Sequence, residues 1–169
     1  PLRSRFSGGV FQLDFYTEKE IEKILKRSAD ILGVTLEKEA AHEIAKRSRK
    51  TPRTANYLLK RARDVAQLER TSLSHEVAEK ALAMIGIDEA GLTPSDRKIL
   101  RTLIEKFGGG PVGLSTLAAA TSEEEETIED VYEPYLMQEG FLERTPRGRV
   151  VTKRAHEHLG AVAKQGKLI

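Results

Sequence analysis

Short apolar runs fenced by caps and breakers constrain this chain more than any other feature of its sequence. Thr17 opens one run and has Glu20 three residues on, the spacing of a capping box. Behind it Ile21, Ile24, Leu25, Ile31 and Leu32 recur at helical intervals, and Gly33 supplies a stop. A second helix is expected from about Glu37, with a thin stripe of Ala40, Ala41, Ile44, Ala45 and Ser48. Thr51 and Pro52 form an N-cap and a first-turn proline, so Ala55, Leu58, Leu59, Ala62 and Ala66 mark the buried face of a third. Ser74 caps a fourth, with Val77, Ala78, Ala81, Leu82 and Ile85. None of these helices can bury its stripe alone, so residues 17–86 read as one four-helix bundle. A single strand is expected before it, from Gln12 to Tyr16.

Gly86 to Pro94 has no strong period and reads as a linker. Beyond it lies a helix with Ile99, Leu100, Leu103, Ile104 and Phe107, stopped by Gly108, Gly109, Gly110 and Pro111. A short helix around Leu114, Leu117 and Ala118 follows, then a turn at Thr121 and Ser122. A longer helix comes next, capped by Ser122 with Glu125 and turning Ile128, Val131, Tyr132, Tyr135 and Leu136 inward. Phe141 to Thr145 and Arg149 to Thr152, joined by Pro146, Arg147 and Gly148, read as a hairpin, and a last helix runs from Lys153 to Leu159. Three helices and a basic hairpin are the order of a winged helix-turn-helix, here over residues 93–160, with 161–169 as a tail. The fold class is therefore mainly α: a helical bundle, then a winged helix with a small β-hairpin wing.

Composition narrows the chemistry. The chain has no cysteine, which excludes disulfides, thiolate metal sites and a cysteine nucleophile. No apolar run approaches the length of a membrane span, so no membrane role is expected and the cytoplasm is the default location. The glycines at 8–9 and 108–110 lack the following lysine and hydroxyl of a phosphate-cradling loop. His42, His75, His156 and His158 form no spaced set, so no metal site is expected.

The formal net charge of +2 hides a strong segregation. Between Glu123 and Glu139 stand eight acids (Glu123, Glu124, Glu125, Glu126, Glu129, Asp130, Glu133, Glu139) and no Lys or Arg. From Arg144 to Arg154 stand five bases (Arg144, Arg147, Arg149, Lys153, Arg154) and no acid. A third helix of that character would press carboxylates against a polyanion if it entered a groove, so the hairpin is the expected contact. Arg147 sits at its turn, and Arg144 and Arg149 flank it on the two strands, suited to straddling phosphates. The alternative for these arginines is ordinary solvated surface. A second basic cluster is Lys46, Arg47, Arg49, Lys50 and Arg53, of which Arg53 lies in a helical first turn whose free N–H groups favour an anion.

Several longer strings carry a resemblance. Pro1-Leu-Arg-Ser-Arg-Phe6, Leu13-Asp-Phe-Tyr-Thr17, Ala45-Lys-Arg-Ser-Arg49, Thr51-Pro-Arg53, Asp96-Arg-Lys98, Gly109-Gly-Pro-Val-Gly-Leu114, Tyr132-Glu-Pro-Tyr-Leu136 and Arg144-Thr-Pro-Arg-Gly-Arg149 resemble the C-terminal part of the RuvB family, the AAA+ motors of Holliday-junction branch migration. The resemblance implies that residues 1–16 end an ATPase core, that the bundle is the AAA+ lid, and that the second module is a DNA-binding winged helix. By the same resemblance Arg5 is an arginine finger acting in trans on a neighbouring subunit's ATP, Arg53 is the lid's nucleotide sensor, and Arg144, Arg147 and Arg149 are the wing's DNA contacts. It further implies ATP and Mg²⁺ as cofactors of the whole motor, a homohexameric ring, duplex DNA or a Holliday junction as substrate, and a RuvA-type junction-binding partner.

The chain departs from the family pattern at Ser7-Gly8-Gly9-Val10 and at Lys50, where the family usually has glycine. Because the strings for the P-loop and Mg²⁺-binding acids are absent from these 169 residues, the chain by itself is expected to hold no nucleotide, to hydrolyse none and to be a monomer. Two rivals stand beside this reading. One is a free-standing winged-helix regulator, which requires base readout by the third helix; the other is a winged helix that docks proteins through its acids.

Overall fold

A computed structural model describes residues 14–160, which fall into two compact units that part between Ile85 and Gly86. The first unit packs α1 (Glu18–Leu32), α2 (Lys38–Lys46), α3 (Pro52–Glu69) and α4 (His75–Met84). Thr17 and Glu20 form the expected reciprocal cap of α1, with the Thr17 N–H donating to Glu20 Oε2 at 2.8 Å, and Gly33 ends the helix at φ +66°. Thr51 and Ser74 cap α3 and α4. The core stripes are rich in alanine (Ala40 and Ala45 on α2, Ala55 and Ala62 on α3, Ala78 and Ala81 on α4), and these short side chains let the helices close on Ile44, Leu58, Leu59 and Leu82. Ile31, on the expected stripe, is instead 75% exposed. Of the strand expected from Gln12 to Tyr16, residues 12 and 13 lie outside the described residues; Asp14 to Tyr16 form no strand, and the Tyr16 N–H donates to the Lys50 carbonyl.

The second unit contains α5 (Pro94–Phe107), α6 (Leu114–Thr121), a third helical segment, the antiparallel pair β1 (Leu142–Thr145) and β2 (Gly148–Val151), and α9 (Lys153–His158). Its core joins Ile99, Leu100 and Leu103 of α5 to Leu117, Ile128, Leu136, Phe141 and Val151. Gly86 to Leu92, expected as a bare linker, belongs to this unit. Ile87 and Leu92 are buried, and Asp88 Oδ1 accepts the N–H groups of Ala90 and Leu92 at 3.0 and 2.9 Å.

The third helical segment is not the uniform helix that the apolar period predicts. It runs as α7 (Glu125–Thr127), a π-turn (Ile128–Tyr132) and α8 (Glu133–Gln138). The Glu133 N–H reaches back five residues to the Ile128 carbonyl. Pro134 explains the widening: a proline inside an α-helix has no N–H to donate and its ring collides with the carbonyl four residues back. The extra residue rotates the phase, so Val131 is 55% exposed while Glu133 is buried at 2%. Ser122 does not build the expected capping box either. It ends α6 at φ +55°, and Glu124 occupies the N-cap of α7 with no side-chain bond.

Arg49 and Lys50 both sit in the left-handed region, at φ +55° and +54°, just before α3. A side chain there costs energy that glycine does not, which gives the Lys50 departure a physical meaning. Lys50→Gly is expected to stabilise the first unit by about 1 kcal/mol, read as a higher urea midpoint at unchanged slope. A lower midpoint contradicts the strain.

Candidate functional site

The hairpin carries the candidate site, and its position is set by contacts on two sides. On one side Val112 pairs with β2: the Val112 N–H donates to the Arg149 carbonyl at 3.0 Å, and the Arg149 N–H returns to the Val112 carbonyl at 2.8 Å. This closeness explains Gly148, at φ +131°, since a Cβ there would lie 2.3 Å from the Val112 carbonyl oxygen. On the other side the hairpin faces the acidic segment. Arg144 and Arg149 stand opposite each other in the register, hence on one face of the pair. Arg149 Nε donates to Glu133 Oε1 at 2.5 Å and Nη2 to Glu133 Oε2 at 3.3 Å, with both side chains at or below 8% exposure. Arg144 pairs with Glu129, four residues before Glu133, but is half exposed. Its own proton is held more firmly than usual by the hydrogen bond to Glu129 and that residue's charge. Arg154 adds a third rung, donating to the Glu139 carbonyl and lying 4.7 Å from the Phe141 ring centre.

Three of the eight acids thus answer three of the five bases, which changes what each predicted residue offers. Arg149 was expected beside the turn as a DNA contact, yet it is 7% exposed and turned into the protein, because it shares the face of buried Val151. Arg147, at the two-residue turn, is exposed and has no ion pair among the described residues. Lys153 is also exposed and, among the described residues, pairs with Glu157 at 3.3 Å. Among the described residues the site therefore presents one free guanidinium at its tip, one half-exposed guanidinium in exchangeable contact with a surface acid, and one buried guanidinium that fixes the hairpin.

Sequence reasoning missed Glu133 as a partner, because its buried orientation follows from the π-turn. It also missed the node at Asp88. Oδ2 of Asp88 accepts from Arg97 Nη1 at 3.1 Å and from His158 Nε2 at 3.0 Å, while the Arg97 guanidinium also donates to the carbonyls of Leu92 and Gly86. Burial alone would raise the Asp88 pKa, but the hydrogen bonds from His158, the Leu92 N–H and Arg97 outweigh it and hold the carboxyl below its ordinary value.

In the first unit, Arg53 occupies the first turn of α3 with its side chain exposed. The segment before it is anchored by Arg47, which is 6% exposed and bonds Glu43 of α2 at 2.6 Å and also Glu79 of α4. Glu43 and Glu79, with His75, are spaced as metal ligands would be, within 4.8 Å of one another. Both carboxylates, however, already serve the Arg47 guanidinium. Arg5 lies outside the described residues. Among those described, no helix is long and apolar enough to cross a membrane.

The family model of the RuvB AAA lid domain matches residues 16–88, and that of the RuvB C-terminal winged helix domain matches residues 89–160. The chain belongs to the RuvB family. It is 57% identical over 160 residues to the Holliday junction branch migration complex subunit RuvB of Dehalococcoides mccartyi strain CBDB1, covering 94% of this chain and 46% of that protein. The solved structure of the Thermotoga maritima RuvB Holliday junction branch migration motor superposes with a TM-score of 0.91 at 50% identity, covering 95% of this chain and 54% of that one. The chain thus spans about half the length of the RuvB proteins it matches, and what it holds is their lid and winged-helix region.

Two stability measurements check this geometry. Glu133→Leu strands a buried guanidinium and is expected to cost the second unit about 3–5 kcal/mol, while adding Arg149→Met recovers most of the loss; an equal loss in the double variant contradicts the pairing. Because the Asp88 pKa is lower in the folded unit than in the unfolded chain, its stabilisation is full above about pH 4 and is lost as pH falls through the folded value. Acid unfolding followed by circular dichroism should thus be shallower in Asp88→Asn than in the wild type, and identical curves contradict this.

Proposed function

We propose that this chain works as the lid and duplex-gripping arm of an ATP-driven branch-migration motor, assembled as a homohexamer with a RuvA-type junction-binding partner. The observation that carries this reading is the free Arg147 guanidinium at the tip of a hairpin braced on both sides. Arg147 takes a phosphate directly, and Arg144 exchanges Glu129 for one. Arg149 holds the tip in place from below and would reach a phosphate only by leaving Glu133. No base edge is read, since exposed Glu124, Glu125, Glu126 and Asp130 keep the third segment away from a groove. The regulator reading loses support for the same reason.

In the lid, the start of α3 favours an anion: Pro52 has no N–H and the Thr54 N–H is capped by Thr51, so the helix dipole and the exposed Arg53 side chain carry the attraction, beyond a segment anchored by Arg47. Arg53 would contact a nucleotide phosphate of its own subunit, and Arg5 would reach across to the neighbour's. ATP with Mg²⁺ supplies the phosphoryl group whose transfer drives the motor; an arginine finger in such chemistry is worth on the order of 10³ to 10⁵ in rate.

Titration of unrelated duplexes over a range of salt tests the grip. With about two phosphates engaged, by Arg147 and Arg144, log affinity falls with log salt at a slope of about −1.8, and Arg147→Ala makes the slope shallower by about 0.9 on every duplex. Unchanged binding by Arg147→Ala, or a marked preference for one duplex, overturns the reading.

A further inference from the structure

The lid carries a basic groove that neither the nucleotide sensor nor the wing uses. It lies between α1 and α2, encloses about 530 Å³, and is rimmed by Lys19, Lys23, Lys26 and Lys38. The first three are spaced at four and three residues and so form one stripe of α1, while Lys38 begins α2. None of the four makes a salt bridge among the described residues, and Lys23 acts on Glu20 only through space. The one acid among the described residues that line the groove, Glu22, is occupied by His42 Nδ1 at 2.8 Å. Its floor is apolar, from Leu36 and Ala41. That floor is built in, because Leu36 is bridged to Leu73 and flanked by bonds between Leu73 N–H and Thr35 carbonyl and between Glu37 N–H and Leu73 carbonyl, at 3.0 and 3.1 Å. Four like charges around a rigid apolar floor repel one another until an anionic partner arrives.

The chain itself contains the complement. Glu124, Glu125, Glu126 and Asp130 are exposed, and none of them forms a salt bridge among the described residues. Next to Asp130 the π-turn pushes Val131 outward to 55% exposure, an apolar group at the edge of an anionic surface. We propose that the α1–α2 groove receives this acidic segment from a second copy of the chain, with the carboxylates meeting the lysines and Val131 covering the floor. A duplex backbone matches the lysines but offers no apolar group for Leu36 and Ala41. Because groove and acidic segment are different surfaces, the contact is head-to-tail, and association continues past a dimer or closes into a ring. This replaces the monomer expected from sequence at high concentration and low salt.

Sedimentation velocity on the 169-residue chain tests the proposal. The average mass rises with concentration in about 50 mM salt and falls back to the monomer in about 500 mM, where charges are screened within a few ångströms. The triple variant Lys19→Glu, Lys23→Glu, Lys26→Glu stays monomeric in low salt, as does Glu124→Lys, Glu126→Lys, Asp130→Lys, and an equimolar mixture of the two associates again. All six side chains are exposed, and circular dichroism checks that each variant is folded. Lys→Gln at the same three lysines is a milder variant and also weakens association. A wild type that is monomeric at every concentration overturns the proposal, as does association untouched by the lysine variants or a mixture that does not associate. Loss of duplex binding by the lysine variants with self-association intact also overturns it, and assigns the groove to DNA.

Discussion

The buried pair of Arg149 and Glu133 is the constraint on which the wing depends. A hairpin of two four-residue strands has little stability of its own in water, so its direction must come from what it is tied to. Val112 holds the backbone of β2, and Glu133 holds its buried side chain. With both in place, the Pro146–Arg147 turn projects from a fixed base. The proline at 134 belongs to the same device, because the π-turn it demands is what brings Glu133 inward.

That pairing also changes the meaning of the acidic segment. Eight acids beside five bases look in sequence like two opposed surfaces, one repelling a polyanion and one attracting it. In three dimensions Glu129, Glu133 and Glu139 neutralise Arg144, Arg149 and Arg154, and the charges that remain outward are separated: Arg147 and Lys153 with the hairpin and α9, Glu124 to Glu126 and Asp130 with the third segment. On the proposed reading a duplex would meet a small cationic tip, which fits a grip that must hold any sequence and let it go. The lid follows a parallel logic. Buried Arg47 ties α2 to α4 directly ahead of the left-handed pair Arg49 and Lys50, so the exposed Arg53 emerges from an anchored segment.

Most of the helices were legible because caps and periods agree. Thr17, Thr51 and Ser74 each cap the helix that their sequence context predicts, and the alanine stripes of α2 and α3 are buried as their spacing requires. The errors have local causes. Val131 reads as inward because a period of 3.6 takes no account of a π-turn, although Pro134 is the available signal. Gly86 to Leu92 looked like a linker because its order comes from Asp88 side-chain bonds and two isolated apolar residues, which have no period. Arg149 reads in sequence as a phosphate contact because it flanks a basic turn, and its burial is what that position does not reveal. Strand alternation was the signal there, since Arg149 shares parity with Val151, although neighbouring Val150 made that parity ambiguous.

On the proposed reading the braced hairpin tip, and not the acidic third segment, meets the duplex. An amide-resolved NMR titration of the chain with a short duplex of arbitrary sequence tests it most directly. The largest shifts are expected at Thr145, Arg147 and Gly148, with Glu124 to Thr127 nearly unmoved and Glu129 shifting only as it loses Arg144. Largest shifts along Glu124 to Tyr132, with the hairpin tip silent, would contradict it.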